Sequence, residues 1–98
     1  MIKVIVERRA KEPDKVSALL RELRAAAVHW PGYITGETLA STEDSSAIAT
    51  ISTWRSVDDW KKWEASKTRN EISRKIESLL MGKAVVKTYQ VMATEAAT

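Results

Sequence analysis

Trp54, Trp60 and Trp63 lie within ten residues of one another. Flat indole rings with one polar tip make good walls for an aromatic ligand. Trp60 and Trp63 are three apart, which places them on adjacent parts of one helical face. Other side chains could supply the chemistry such a pocket needs. Glu7 is a candidate general base if it points towards the helices, and Tyr33 is a candidate proton donor. Arg69, Asn70 and Ser73 are candidates for orienting substrate oxygens. Together these residues would hold a small aromatic molecule, handle its proton and exclude water. Each also has a plainer reading. The tryptophans would serve as core pillars, Glu7 beside Arg8 and Arg9 as an ion-paired edge residue, and Tyr33 as a packed ring with its hydroxyl in water. His29 suits a helix C-terminus, and Asp58 and Asp59 suit a helix start.

Composition removes whole classes of chemistry. A chain of 98 residues supports one domain. Hydrophobic residues at 44% and charged residues at 30% describe a folded globular protein. There is no cysteine, which excludes disulfides, zinc–thiolate sites, iron–sulfur clusters and thiol catalysis. The single histidine excludes a multi-histidine metal site in one chain. No metal and no cofactor are therefore expected. The net charge of +3 is too small and too scattered to imply a nucleic-acid partner. Ile2–Val6 is too short for a signal-peptide core and is broken by Lys3, and no apolar run approaches a membrane span. A cytoplasmic location without membrane attachment is the expectation.

The elements that must position these residues are legible in the periodicity. Ile2–Arg9 predicts a strand with Ile2, Val4 and Val6 on one face and Lys3, Ile5 and Glu7 on the other. Glu12-Pro13-Asp14 starts a helix, whose stripe runs Val16, Leu19, Leu20, Leu23, Ala27 and Trp30 until Pro31-Gly32 stops it. Tyr33–Ser41 and Ser46–Trp54 predict a hairpin closed by Thr42-Glu43-Asp44-Ser45. Ser56-Val57-Asp58-Asp59 is a capping box before a short helix carrying Val57, Trp60 and Trp63. Ser66 or Thr68 caps a further helix with Ile72, Ile76, Leu79 and Leu80 on its stripe, ended by Gly82. Lys83–Met92 predicts the last strand, and Ala93–Thr98 a flexible tail beyond a single domain of residues 1–92.

The order β-α-β-β-α-α-β predicts an α+β fold, a four-stranded antiparallel sheet with its helices on one face in the ferredoxin-like arrangement. Such a sheet leaves its other face open. Yet Ile5, Ala49, Ile51 and residues of the last strand would make that face apolar as well. A second copy of the same sheet is the simplest cover, so a homodimer is expected. RNA-recognition domains share this element order but stack bases on strand aromatics, and Ile2–Glu7 has none.

The run Pro31-Gly32-Tyr33-Ile34-Thr35-Gly36-Glu37-Thr38-Leu39, followed by Ile51–Trp63 with its Trp-Arg-Ser-x-x-Asp-Trp-x-x-Trp segment, resembles the antibiotic biosynthesis monooxygenase domain family. The likeness extends from Met1 to about Met92. It implies a ferredoxin-like monomer, a dimer whose sheets pack into a β-barrel, and cofactor-independent oxygenation of a small aromatic or quinone-like substrate. A non-catalytic dimer that binds a small aromatic ligand needs the same cavity and no base. The family also contains heme-degrading enzymes. By ungapped alignment their site tryptophan falls on Trp63, their iron-ligating histidine on Ser73 and their asparagine on Glu7. Only Trp63 matches, and serine is a poor iron ligand, which argues against heme degradation. The resemblance thus adds Trp63 and Ser73 to Glu7 as catalytic candidates. Trp54, Trp60, Tyr33, Arg69 and Asn70 remain candidates for holding substrate.

Overall fold

The computed structural model describes residues 1–97. Alternation of buried and exposed side chains makes β1, Ile2–Arg9, a central strand. It pairs antiparallel with β3 (Ala47–Trp54) on one side and β4 (Val85–Gln90) on the other. β2 (Tyr33–Ala40) pairs with β3 at the edge, so the sheet order is β2-β3-β1-β4. The charge-free sequence of β3 fits its interior place, since each of its sides is covered by another strand. Asp44 closes the hairpin before β3. Its carboxylate accepts from the Ser46 amide at 3.0 Å and from the Ser46 hydroxyl at 2.6 Å.

Three helices cover one face. α1 spans Pro13–Ala27, with proline at its start, Asp14 in the first turn, and Val16, Leu20 and Ala27 buried. It ends three residues before the expected Trp30. Trp30 instead lies in the turn to β2 and still packs on the core. α2 spans Val57–Glu64 behind Ser56, whose hydroxyl accepts from the Asp59 amide at 3.1 Å. α3 spans Lys67–Glu77, and Ser66 rather than Thr68 caps it by accepting from the Arg69 amide at 3.2 Å. Gly32 has φ +88°, and a Cβ there would run into the Asp59 side chain, so the α1–β2 turn needs glycine. Gly82 also has positive φ, in the turn before β4. Of the expected tail Ala93–Thr98, Thr98 lies outside the described residues.

The core divides into two clusters between sheet and helices. One joins Ile2, Val4 and Val6 to Ala27, Trp54, Trp60 and Trp63. The other joins Val16 and Leu20 to Ile48, Ile72, Ile76 and Leu80. Leu23 packs against both. The uncovered sheet face carries Ile5 and Ile51 as a cross-strand pair, with exposed Leu39, Val85 and Tyr89 around them. Polar side chains share that face, including Lys3, which donates to Thr53 Oγ1 at 3.3 Å, and the ion pair of Lys87 with Glu7 at 3.3 Å.

Candidate active-site cavity

Alternation along β1 decides which polar groups enter the space under the helices. Ile2, Val4 and Val6 point there, and Arg8 follows with the same parity, buried to 5% exposure. Glu7 has the opposite parity and lies on the uncovered face, bound to Lys87. The candidate base and the tryptophans are therefore on opposite sides of the sheet. The same two-residue period contained the signal for Arg8: it sits two positions beyond Val6 on the apolar face.

The tryptophans form one connected cluster. Trp54 rises from β3 and stacks on Trp63 at 6.4 Å between ring centroids, with 25° between planes. Trp60 meets Trp54 edge-on at 5.8 Å, and Trp30 lies 5.2 Å from Trp63. Trp54 Nε1 donates to Ser52 Oγ at 2.9 Å, which satisfies the indole in the core. Trp54, Trp60 and Trp63 are nearly inaccessible yet line a cavity of about 70 Å³. They are at once core pillars and cavity walls. Tyr33 enters the same cavity from β2, its ring edge-on to Trp54 at 5.4 Å. Its hydroxyl lies over Gly36, where a Cβ would collide with it. Burial pushes the Tyr33 phenol above its ordinary pKa, against a smaller opposing pull from Arg24, so it is a protonated donor at neutral pH.

Three arginines complete the lining: Arg24, whose Nη1 donates to Thr38 Oγ1 at 2.9 Å, and the more deeply placed Arg8 and Arg69. Arg8 donates from Nη1 to Thr50 Oγ1 at 3.3 Å. Arg69, from the first turn of α3, holds its Cζ 5.3 Å from the centre of the Trp60 ring. Burial, then repulsion from Arg69, lowers the Arg8 pKa to about 10, with Glu77 acting the other way. Burial also lowers that of Arg69, against the pull of Glu64 and Glu77. A second cavity of about 500 Å³ opens beside the first, and Arg8 and Arg69 line both. Ser73 faces this second cavity, its hydroxyl oxygen buried without a hydrogen-bond partner. Asn70 lines neither; its amide donates to the Ala65 carbonyl at 3.4 Å. Among the described residues no group of three histidine, aspartate or glutamate side chains is placed to hold a metal ion, and no helix is long and apolar enough to cross a membrane.

Residues 1–75 match the family model described as antibiotic biosynthesis monooxygenase. The chain belongs to that family. No curated protein matches this monooxygenase-family chain in sequence. Solved structures share its fold at low identity. SnoaB, a cofactor-independent oxygenase from Streptomyces nogalater, aligns with a TM-score of 0.87 at 12% identity, over 95% of this chain and 94% of that one. A protein from Deinococcus radiodurans aligns at 0.90 and 10% identity, over 100% and 99%. A conserved protein from Methanosarcina mazei aligns at 0.83 and 15%, over 91% and 90%. At such identities the likeness is one of fold, and the ferredoxin-like arrangement of this monooxygenase-family domain is shared by all three.

Proposed function

We propose that this protein oxygenates a small aromatic or quinone-like substrate without a bound cofactor, in the tryptophan-walled cavity between sheet and helices. The observation that carries the reading is that cavity, in a chain of the monooxygenase family. Ground-state dioxygen is a triplet and reacts slowly with closed-shell molecules. An electron-rich phenolate bypasses that barrier by giving one electron to dioxygen, after which the two radicals combine. The protein's part is to hold the ring against the cavity-facing edge of the stacked Trp54–Trp63 pair, exclude water, and favour the ionised substrate. Tyr33 would donate a hydrogen bond to a substrate or peroxide oxygen. Glu7 has no part in this scheme, because it lies across the sheet. The absence of Glu7 from the cavity favours a second reading, a ligand-binding protein with the same pocket and no turnover.

We also read the protein as a homodimer closed over the uncovered sheet face, as expected of its family. The Ile5–Ile51 pair with Leu39 and Val85 would supply the apolar contacts, interleaved with the Lys87–Glu7 ion pair, since Lys87 stands opposite Ile5 and Glu7 opposite Val85. The test of function is oxygen consumption with a panel of hydroquinones and anthrones in the presence of catalase. Uptake by the wild type, reduced in Trp63→Phe, supports oxygenation. No uptake across the panel, with ligands still quenching tryptophan fluorescence, leaves the binding protein.

A further inference from the structure

Arg8 is the one charged side chain that is buried among the described residues. A buried charge is normally paired, because removing it from water is costly. Arg8 has no such partner. No carboxylate of the described residues lies within 4.0 Å of it or of Arg69. A guanidinium carries five N–H donors, and Arg8 uses one, on Thr50. Arg69 reaches the same space from the opposite layer and is held there against the face of Trp60. Ser73, one helical turn beyond Arg69, adds a buried hydroxyl with no partner. Two cations that repel each other and an orphan hydroxyl thus converge from β1 and α3 where the two cavities meet. The outer cavity is also lined by Glu64, Glu77 and Lys83, so three cations there face two carboxylates, and the inner cavity adds Arg24 and Glu37; one positive charge is left over.

The missing component is a negative charge, and the tryptophan walls beside it select what carries that charge. We propose that Arg8 and Arg69, with the Ser73 hydroxyl, bind the oxyanion of an aromatic molecule whose ring lies towards the tryptophans. The site takes a carboxylate borne by the ring or a phenolate on it; both present planar or near-planar oxygen acceptors to the guanidinium fork. This rests on the reading of the cavity as a substrate site and deepens it. A site that stabilises the phenolate supplies the electron-rich species that reacts with dioxygen, with the proton released to solvent.

The test needs no turnover and runs without oxygen on the whole chain. The probes are single rings that span the inner and outer cavities, whose shared lining is Arg8 and Arg69: 4-nitrophenol, 4-nitrobenzoate and neutral nitrobenzene. Binding is followed by tryptophan quenching, and the ionisation of nitrophenol by its phenolate absorbance at a pH about one unit below its own pKa. The expected result is growth of the phenolate band as protein is added, and binding of anions at least about tenfold tighter than of nitrobenzene. Arg8→Met abolishes that preference while nitrobenzene binding persists, and Arg8→Lys restores part of it. Binding of nitrobenzoate identifies a carboxylate as an acceptable anion; binding of nitrophenol alone identifies an oxyanion formed on the ring. Equal affinity for neutral and anionic probes, no detectable anion binding, or a preference unchanged in Arg8→Met overturns the proposal. Anion preference without oxygen uptake would sink the oxygenase reading and leave this site standing. Oxygen uptake without anion preference would do the reverse.

Discussion

Replacing Arg8 by methionine should make the protein more stable. Arg8 is 95% buried by surface area, since it retains 5% exposure, and it has no carboxylate partner. Its pKa falls to about 10, first from burial and then from repulsion by Arg69. At neutral pH the side chain is charged in both folded and unfolded chains. The lowered value therefore measures a cost of folding the charge of about 3 kcal/mol. Methionine keeps the unbranched stem and removes the charge, at the loss of the Thr50 hydrogen bond, about 1 kcal/mol. The net gain is about 2 kcal/mol, which for a domain of this size raises Tm by roughly 10 °C. The pH dependence follows from the direction of the shift. The folded chain binds this proton less tightly than the unfolded chain, so wild-type stability gains from Arg8 as pH rises from about 10 towards the ordinary guanidinium value. The advantage of Arg8→Met should shrink over that range and be full at neutral pH. Thermal and urea unfolding followed by tryptophan fluorescence, at one fixed protein concentration, measures both effects. A lower Tm for Arg8→Met at pH 7 would refute the argument, because it would mean that the chain itself compensates the charge. An anionic aromatic ligand should raise the wild-type Tm more than that of the variant.

Trp63→Ala should cost about 3–5 kcal/mol, since the ring is buried against Trp30 and Trp54; Trp63→Phe should fold and weaken aromatic ligands, and unchanged affinity would reduce Trp63 to packing. Gly32→Ala should destabilise by at least about 1 kcal/mol in urea unfolding, through its positive φ and the collision with Asp59. Ile51→Lys should convert a homodimer to a monomer in sedimentation, by placing a charge against Ile5 on the uncovered face; a wild type that sediments as a monomer contradicts the dimer outright. In ultraviolet titration, Tyr33 should ionise above the ordinary phenol range, and Tyr33→Phe should remove that late phase.

Local rules were enough for most of the fold. β1 begins where its β-branched alternation does and carries the same in-and-out period on to Arg9, the Ser56 and Pro13 starts are used as their chemistry dictates, and the hairpin turns at the residues suited to turning. These are interactions among near neighbours, so the chain order contains them. The end of α1 was less legible. Trp30 keeps the helical spacing and packs against Trp63, although the helix stops at Ala27. An apolar residue reports that it will be buried, and not by which backbone route it gets there.

The site shows the same division. Periodicity separates Glu7 from Arg8 onto opposite faces of β1, but both faces of the strand carry apolar residues. Which face receives the helices depends on how α1, α2 and α3 pack across the whole sheet. Only that packing turned Arg8 into a buried cation beside Arg69 and sent Glu7 to Lys87 on the far side. Asn70 and Ser73 are near neighbours on one helix, and a small difference in angle about its axis gives one a backbone carbonyl and the other a cavity. Alternation and caps act over a few residues and can be read along the chain. The meeting of charge with cavity is set by contacts between residues about sixty positions apart, and it exists only once the layers have closed.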